Sequence, residues 1–482
     1  MTERRKLWIL VLCCIGQFMV ILDVSVVNVA LPSIRSGLHF SAADLQWVVN
    51  AYTLTFAGFL LLGGRACDLL VRRNVFNFGM GLFAIASLIG GLAQSQTMLV
   101  IARGIQGLGG AVVAPATLSI LTSTFTEGGE RNRALGAWGA MGAAGGATGV
   151  LLGGLLTQTL SWRWILFINV PIGAATALGA LRAMTTERPE AATRRNFDLA
   201  GAITGTAGLI VLTFGIVKTE QYGWGSARTI VTLAIAVALL ALFLLIETRF
   251  ATAPLMPLGI FRSRQLSAAN IVVLLLGASA FAMWYLLSLY LQEVRGYTPI
   301  QTGVAFLPGT FALAVAAQLA GKRIHSVGAG RPLALGMALI AIGLVWLGQI
   351  SVSGSYAGEV LVPFMLAGAG IGATFVSVTV AGMAGVEPRE VGLASGLINT
   401  SRQIGGSLGL AILATVATTR TSSLLGHTSV HSALTSGFQR AFVLAGILAA
   451  VGAVASVLLI PLRRPPRRAP AAEPSVAESA GT

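Results

Sequence analysis

Fourteen stretches of mostly apolar residues recur along this chain, each close to the roughly 20 residues that an α-helix needs to cross a bilayer. They fall near 7–30, 46–63, 75–94, 98–122, 135–157, 163–184, 197–218, 228–247, 267–290, 300–321, 332–350, 358–382, 397–418 and 438–462. A soluble domain carries about a quarter charged residues; here they make up 10% of 482, hydrophobic residues make up 55%, and mean hydropathy is +0.81. The pattern excludes a soluble globular fold. It predicts an all-α integral membrane protein whose backbone polar groups are satisfied within helices. An even number of crossings puts both termini on one side.

The net charge of +15 and pI near 11.0 suggest a nucleic-acid partner at first sight. The basic residues, however, sit in short clusters between apolar runs rather than along one soluble face, which suits membrane orientation and not a phosphate track. With the N-terminus in the cytoplasm, 23 of the 32 Lys and Arg fall in inner segments, such as Arg4, Arg5 and Lys6 or Arg262 and Arg264, against 7 in outer ones. The expectation is a multi-pass protein of the cell membrane with both termini cytoplasmic and no nucleic-acid partner. The start has the basic flank of a signal peptide, but its apolar run is too long for one, so the first segment is read as retained. The tail 463–482, rich in Pro and Ala, is expected to be disordered. Usage of 29 Arg against 3 Lys with abundant Ala and Gly points to a GC-rich bacterial genome.

Cys13, Cys14 and Cys67 lie in or beside membrane segments with no metal-ligand spacing. His39, His325, His427 and His431 are expected on surface loops. No metal and no cofactor is expected.

The stretch FMVILDVSVVNVALPSI places a lone carboxylate, Asp23, inside the first apolar segment. Ionisable residues at that depth are costly, and they commonly face a cavity, a partner or a transported ion. In LVIARGIQGLGGAVVAPATLSIL, Arg103 stands within another apolar segment, with Gln106 three residues on along the same helical face. A buried arginine needs an acceptor, and Asp23 is the candidate. Between the second and third segments, GGRACDLLVRRNVF carries Asp68 four residues before Arg72, a spacing that pairs charges on a helix, with Arg73 beside it. Gly145, Gly149 and Gly153, spaced by four, make a side-chain-free ridge for close approach of another helix.

Taken in order, these stretches resemble the major facilitator superfamily, and within it the fourteen-helix drug:proton antiporter branch. LDVSVVNVALP resembles the branch's first-helix signature. GRACDLLVRR resembles the loop motif G-x-x-x-D-x-x-G-R-R at Gly64, Asp68, Arg72 and Arg73, with Val71 in place of its second glycine. LVIARGIQGLGGA matches the fourth-helix motif at Leu99, Arg103, Gln106, Gly107, Gly109 and Ala111. GATGVLLGGLL resembles the antiporter motif G-x-x-x-G-P-x-x-G-G at Gly145, Gly149, Gly153 and Gly154, with Val150 where proline is usual. SWRWILFINVPIG and GLASGLINTSRQIGGSLGLA resemble further branch signatures, and the likeness covers the chain short of its tail.

The resemblance implies a major-facilitator fold of two six-helix bundles, 1–184 and 251–462, with two inserted helices in 185–250, followed by the tail 463–482. GKRIHSVGAGRP between the tenth and eleventh segments is a degraded echo of the loop motif, as parallel repeats predict. It also implies a proton-coupled exporter of drug-like small molecules, acting as a monomer. In that reading Asp23 carries the proton, Arg103 and Gln106 couple to it, and Asp68, Arg72 and Arg73 latch the inner gate. Asp23 is the only carboxylate deep in any segment, so neutral, weakly charged or monocationic lipophilic compounds are favoured over polycations, with antibiotic efflux as the physiological expectation. Trp284, Tyr285, Gln318 and Asn399 are candidates for the cavity lining.

Export of a metabolite such as an amino acid or sugar is the nearest alternative, separable by the breadth of inhibition. A membrane-embedded enzyme would need convergent acid/base or metal groups, and no such cluster stands in the sequence. GGSLG fits the hydrolase elbow in letters only, since it lies in a membrane segment. GAGIGA lacks the preceding strand of a dinucleotide site, and there is no phosphate-binding P-loop.

Overall fold

In a computed structural model the chain is built from helices. The structure describes residues 2–125, 128–184, 186, 198–252, 254–384, 386 and 390–461; the tail 463–482 and the basic residues Arg188, Arg194, Arg195 and Arg389 lie outside them. The long helices are α1 (Glu3–Leu38), α2 (Ala42–Leu69), α3 (Arg72–Gly91), α4 (Gln96–Thr124), α5 (Gly128–Thr159), α6 (Trp164–Ala183) and α7 (Leu199–Val217). They continue with α8 (Ala227–Phe250), α9 (Arg264–Val294), α10 (Pro299–Val327), α11 (Gly330–Leu347), α12 (Tyr356–Met383), α13 (Val391–Leu424) and α14 (Val430–Leu459). Among the described residues thirteen are long and apolar enough to cross a membrane. The other, α13, has the length but carries Asn399, Arg402 and Gln403 within it.

All fourteen expected segments are therefore helices. Most run past the apolar stretch, as α1 does, because polar residues at a helix end continue the backbone hydrogen bonding that an apolar window cannot detect. Local chemistry sets several starts. Ser95 caps α4 by accepting from Met98 N, and Thr298 with Gln301 forms a capping box ahead of Pro299 at the start of α10. His39 ends α1 in a left-handed conformation with φ 56°. His39, His427 and His431 are exposed, but His431 lies in the first turn of α14, and the backbone of His325 is helical, so neither of those two is in a loop.

The packing repeats with a shift of eight. α1 packs on α4, α5 and α6; α2 on α4; α3 on α4 and α6. In the same way α9 packs on α12, α13 and α14; α10 on α12; α11 on α12 and α14. Two main seams join these groups, α5 against α10 and α2 against α13, and they map onto each other under the same shift; α1 also meets α9. The added pair α7 and α8 packs on itself, and α7 also lies on both α2 and α13. A Cβ on Gly58 of α2 would overlap the Thr206 hydroxyl of α7, and Lys218 Nζ pairs with Asp44 Oδ1 at 2.8 Å.

Call the end where α1 begins the near end, and the opposite one the far end. Hydrogen bonds between the two groups cluster in the far half: Arg35 Nη1 to Glu293 Oε1 at 2.7 Å and Oε2 at 2.9 Å, Ser288 Oγ to the Asn28 carbonyl at 2.6 Å, Gln292 Nε2 to the Val29 carbonyl at 2.9 Å. Ile300 N donates to Gln158 Oε1 at 3.2 Å.

The glycine ridge has two partners. Gly145, Gly149 and Gly153 lie against the α1 backbone at Phe18, Leu22 and Val26, whereas Gly154 meets Pro299 and Ile300 of α10, and Gly303 of α10 meets the Val150 carbonyl in return. Val150 is buried within an unbroken helix. Gly303→Val is expected to cost about 1–3 kcal/mol, because its side chain would collide with α5 backbone rather than with a movable side chain. Gly136→Val, with open space around it, should change stability by no more than about 0.5 kcal/mol. Melting temperatures of the two variants in detergent check this pair.

Candidate functional site

Gly16, Met19, Val20, Asp23, Val26, Val27 and Ala30 form the buried stripe of α1, so Asp23 points into the protein by helical periodicity alone. Leu99, Ala102, Arg103, Gln106 and Gly110 form the corresponding stripe of α4. Small residues bring the helices close: a Cβ on Gly107 would overlap the Tyr52 carbonyl of α2, and one on Gly109 would press on the α3 backbone at Phe83 and Gly79. The result is a polar cluster at the meeting of α1, α2, α3, α4 and α6.

Asp23 is 0% exposed and Arg103 2%. Arg103 Nη1 donates to Asp23 Oδ2 at 2.5 Å and to Gln106 Oε1 at 2.7 Å, and its Nε donates to the Val48 carbonyl at 3.0 Å. Gln106 Nε2 donates to Asp23 Oδ1 at 2.7 Å and to Ser87 Oγ at 2.8 Å. Asn169 Nδ2, on α6, also donates to Asp23 Oδ1, at 3.0 Å. The guanidinium lies over the Tyr52 ring, 4.5 Å from its centroid. Asp23 thus accepts from three side chains and donates to none, the pattern of an ionised carboxylate. An ion pair this deep persists only with such further hydrogen bonds, since desolvation alone costs several kcal/mol per ion.

Arg103 is therefore turned into the bundle and does not snorkel to an interface. Asn169 and Ser87 were not singled out from the sequence. The only signal for Asn169 was an amide inside the SWRWILFINVPIG stretch, and for Ser87 a hydroxyl among apolar neighbours.

The loop motif comes out differently. Asp68 is exposed and forms no ion pair with Arg72. The four-residue spacing pairs charges only on a continuous helix, and α2 stops at Leu69 with Leu70 extended (φ −116°, ψ 167°) before α3 begins at Arg72. Arg73 Nη1 instead donates to the Leu181 carbonyl at 3.4 Å. Val71 adopts φ −61°, ψ 111°, a conformation open to any residue, so the missing glycine leaves the turn unstrained. A Cβ on Gly64 would meet only ordinary contact, with Pro115.

The four candidate cavity residues do not converge. Trp284 packs edge-on against Phe306 and Phe364, with centroids 5.2 and 5.1 Å away, and Tyr285 beside it is buried. Both stand in the far half of α9. Gln318 stands in the near half of α10, lining a groove of about 460 Å³ with Lys322 and Val376. Asn399, near the start of α13, accepts a hydrogen bond from Arg402. No group of three or more His, Cys, Asp or Glu among the described residues is arranged to hold a metal ion.

Comparison with known proteins agrees with this architecture. A family model described as the Major Facilitator Superfamily matches residues 13–410. A cephamycin export protein of Amycolatopsis lactamdurans is 42% identical, over 88% of this chain and 87% of that protein. A puromycin resistance protein of Streptomyces alboniger is 38% identical, over 88% and 84%. A tetracenomycin C resistance and export protein of Streptomyces glaucescens is 36% identical, over 87% and 78%. Among solved structures, a nucleoside transporter superposes with a TM-score of 0.69 at 11% identity, covering 94% of this chain and 99% of that one, a likeness of fold.

Proposed function

The chain belongs to the major facilitator superfamily, and from that premise we propose that it is a proton-driven exporter of lipophilic or weakly charged small molecules, antibiotics among them. Its relatives are transporters rather than enzymes, and three are export or resistance proteins for cephamycin, puromycin and tetracenomycin C. It is a multi-pass membrane protein. The bias of basic residues supports an orientation in the cell membrane with the near end in the cytoplasm. One chain holds every group of the polar cluster, which supports a monomeric unit.

The observation that carries the proton coupling is the fully buried Asp23, held by Arg103, Gln106 and Asn169. In the arrangement described, Asp23 accepts from all three while the far end is tied by Arg35–Glu293 and its neighbours. In our reading this is the inward-facing, proton-released state, ready to take cargo from the cytoplasm or inner leaflet. After the bundles rock, the far end opens and a proton from outside reaches Asp23. A protonated carboxyl no longer matches three donors, so Arg103 is released to repack, and the cargo leaves on that side. Return to the inward-facing state delivers the proton to the cytoplasm, where Arg103 recaptures the carboxylate.

Efflux of a preloaded lipophilic dye from cells expressing the protein, with and without a protonophore, tests the reading. Export faster than in vector controls and reduced to their rate by the protonophore is the expected result. Export indifferent to the protonophore would remove the proton as the driving ion.

A further inference from the structure

Arg103 has a carboxylate partner, and among the described residues Arg402 has none. Arg402 stands on α13 eleven residues after Val391, or about 17 Å along the helix. Its depth matches that of the Asp23 cluster. On the antiparallel seam Gly396 lies against Leu61, and Ser407 donates to Asn50, which places Arg402 level with Thr55. Thr55 in turn donates to the Gly104 carbonyl, beside Arg103.

The side chain is partly buried. Nη2 donates to Asn399 Oδ1 at 2.7 Å, Cζ lies 4.9 Å from the Phe375 ring centroid, and Nε is buried without a hydrogen-bond partner. None of the ion pairs among the described residues includes it. Among the described carboxylates, Asp198 caps the start of α7 by accepting from Gly201 N, and Glu247 near the end of α8 accepts from Met256 N. The following are committed or distant. Asp23 is held by Arg103, Asp44 by Lys218 and Glu293 by Arg35. Glu359 accepts from Ser351. Asp68 lies at the near end of α2, and Glu390 precedes Arg402 by twelve residues, about 18 Å.

Asp23 and Arg103 cancel, so the uncompensated charge at mid-depth is positive. A guanidinium in such a place calls for an anionic acceptor, and among the described residues no carboxylate pairs with it. The cluster around it has the parts of a receptor for a planar anion. The guanidinium offers a donor fork that fits a carboxylate, the Asn399 amide supplies further N–H groups, and the Phe375 ring, 41% exposed, offers an apolar face.

We propose that Arg402, with Asn399 and Phe375, is the subsite that binds the carboxylate of an amphipathic organic acid carried as cargo. The proposal rests on the exporter reading above and narrows its substrate class. Lipophilic monocarboxylates are preferred over their esters, and cations are disfavoured by the positive charge. Asp23, which alone suggested room for a monocation, is already neutralised.

The test uses the purified full chain in lipid nanodiscs and three fluorescent probes: 1-pyrenebutyrate, its methyl ester, and ethidium, each corrected for empty nanodiscs. Wild type should bind the acid at least about tenfold more tightly than the ester or ethidium, and this comparison needs no variant. Arg402→Gln should weaken acid binding by about tenfold to a hundredfold and erase the preference, the loss expected for a charge-assisted hydrogen bond. Arg402→Lys should keep part of it. Equal binding of acid and ester by wild type, no binding of any probe, or a preference that survives in a folded Arg402→Gln protein each overturns the subsite. Uptake into inverted vesicles under an imposed pH gradient is measured in parallel. Arg402-dependent binding of the acid without gradient-driven uptake of any probe would overturn the exporter reading instead.

Discussion

Asp23→Asn is expected to abolish export against a gradient, by roughly two orders of magnitude, while the protein still reaches the membrane. Asparagine matches the carboxylate in size and keeps one oxygen to accept from Gln106 and Asn169. It cannot take up and release a proton, and it offers Arg103 no charge. Downhill exchange of labelled for unlabelled cargo needs no proton and should persist, which separates loss of coupling from loss of folding. Active efflux and exchange measured side by side in the same vesicles check both halves. Normal-rate pumping against a gradient by a correctly inserted Asp23→Asn protein would sink the assignment.

Arg103→Leu is expected to have the largest effect on stability, about 3–5 kcal/mol, because it strands a carboxylate in the bundle core. Leucine removes the donors to Asp23 Oδ2, Gln106 Oε1 and the Val48 carbonyl together. The double variant Asp23→Asn/Arg103→Leu removes the charge on both sides and should recover much of that loss, since the two positions touch and their effects are not additive. Thermal unfolding in detergent of the wild type, the two single variants and the double variant measures the coupling. If the double variant is as unstable as the sum of the singles, the pair does not stabilise the fold in the way its geometry indicates.

Asp23 and Arg103 were legible before any coordinates because a charge inside an apolar run has few reasons to be there, and two of opposite sign have an obvious one. Gln106 was legible because it shares a helical face with Arg103. Asn169, which completes the carboxylate's set of donors, was not. Neutral amides and hydroxyls are common in membrane helices, and nothing in spacing ties α6 to α1. The Asp68–Arg72 pair failed because i,i+4 reasoning presumes a helix, and the chain turns at Leu70 and Val71 between them. The spread of the candidate cavity residues was not legible for a different reason. A helix apolar all round gives no sign of which face meets lipid, which meets a neighbour and which meets an interior space. Trp284 turned out to pack on Phe306 and Phe364. The glycine ridge was readable as a ridge, but its division between α1 at Gly145, Gly149 and Gly153 and α10 at Gly154 depends on how the bundles meet.

In the proposed cycle, the contact between Asp23 and Arg103 would also decide how the electrical potential across the membrane acts. While the pair is intact the two charges cancel, and the field across the bilayer exerts almost no net force on the site. A proton on Asp23 would leave the Arg103 charge uncancelled, and moving one elementary charge across 100 mV is worth about 2.3 kcal/mol. Voltage, negative inside, then draws the loaded site inward and leaves the unloaded one indifferent. On that proposal, a cell whose pH gradient has collapsed but whose potential remains would still supply energy to the return half of the cycle.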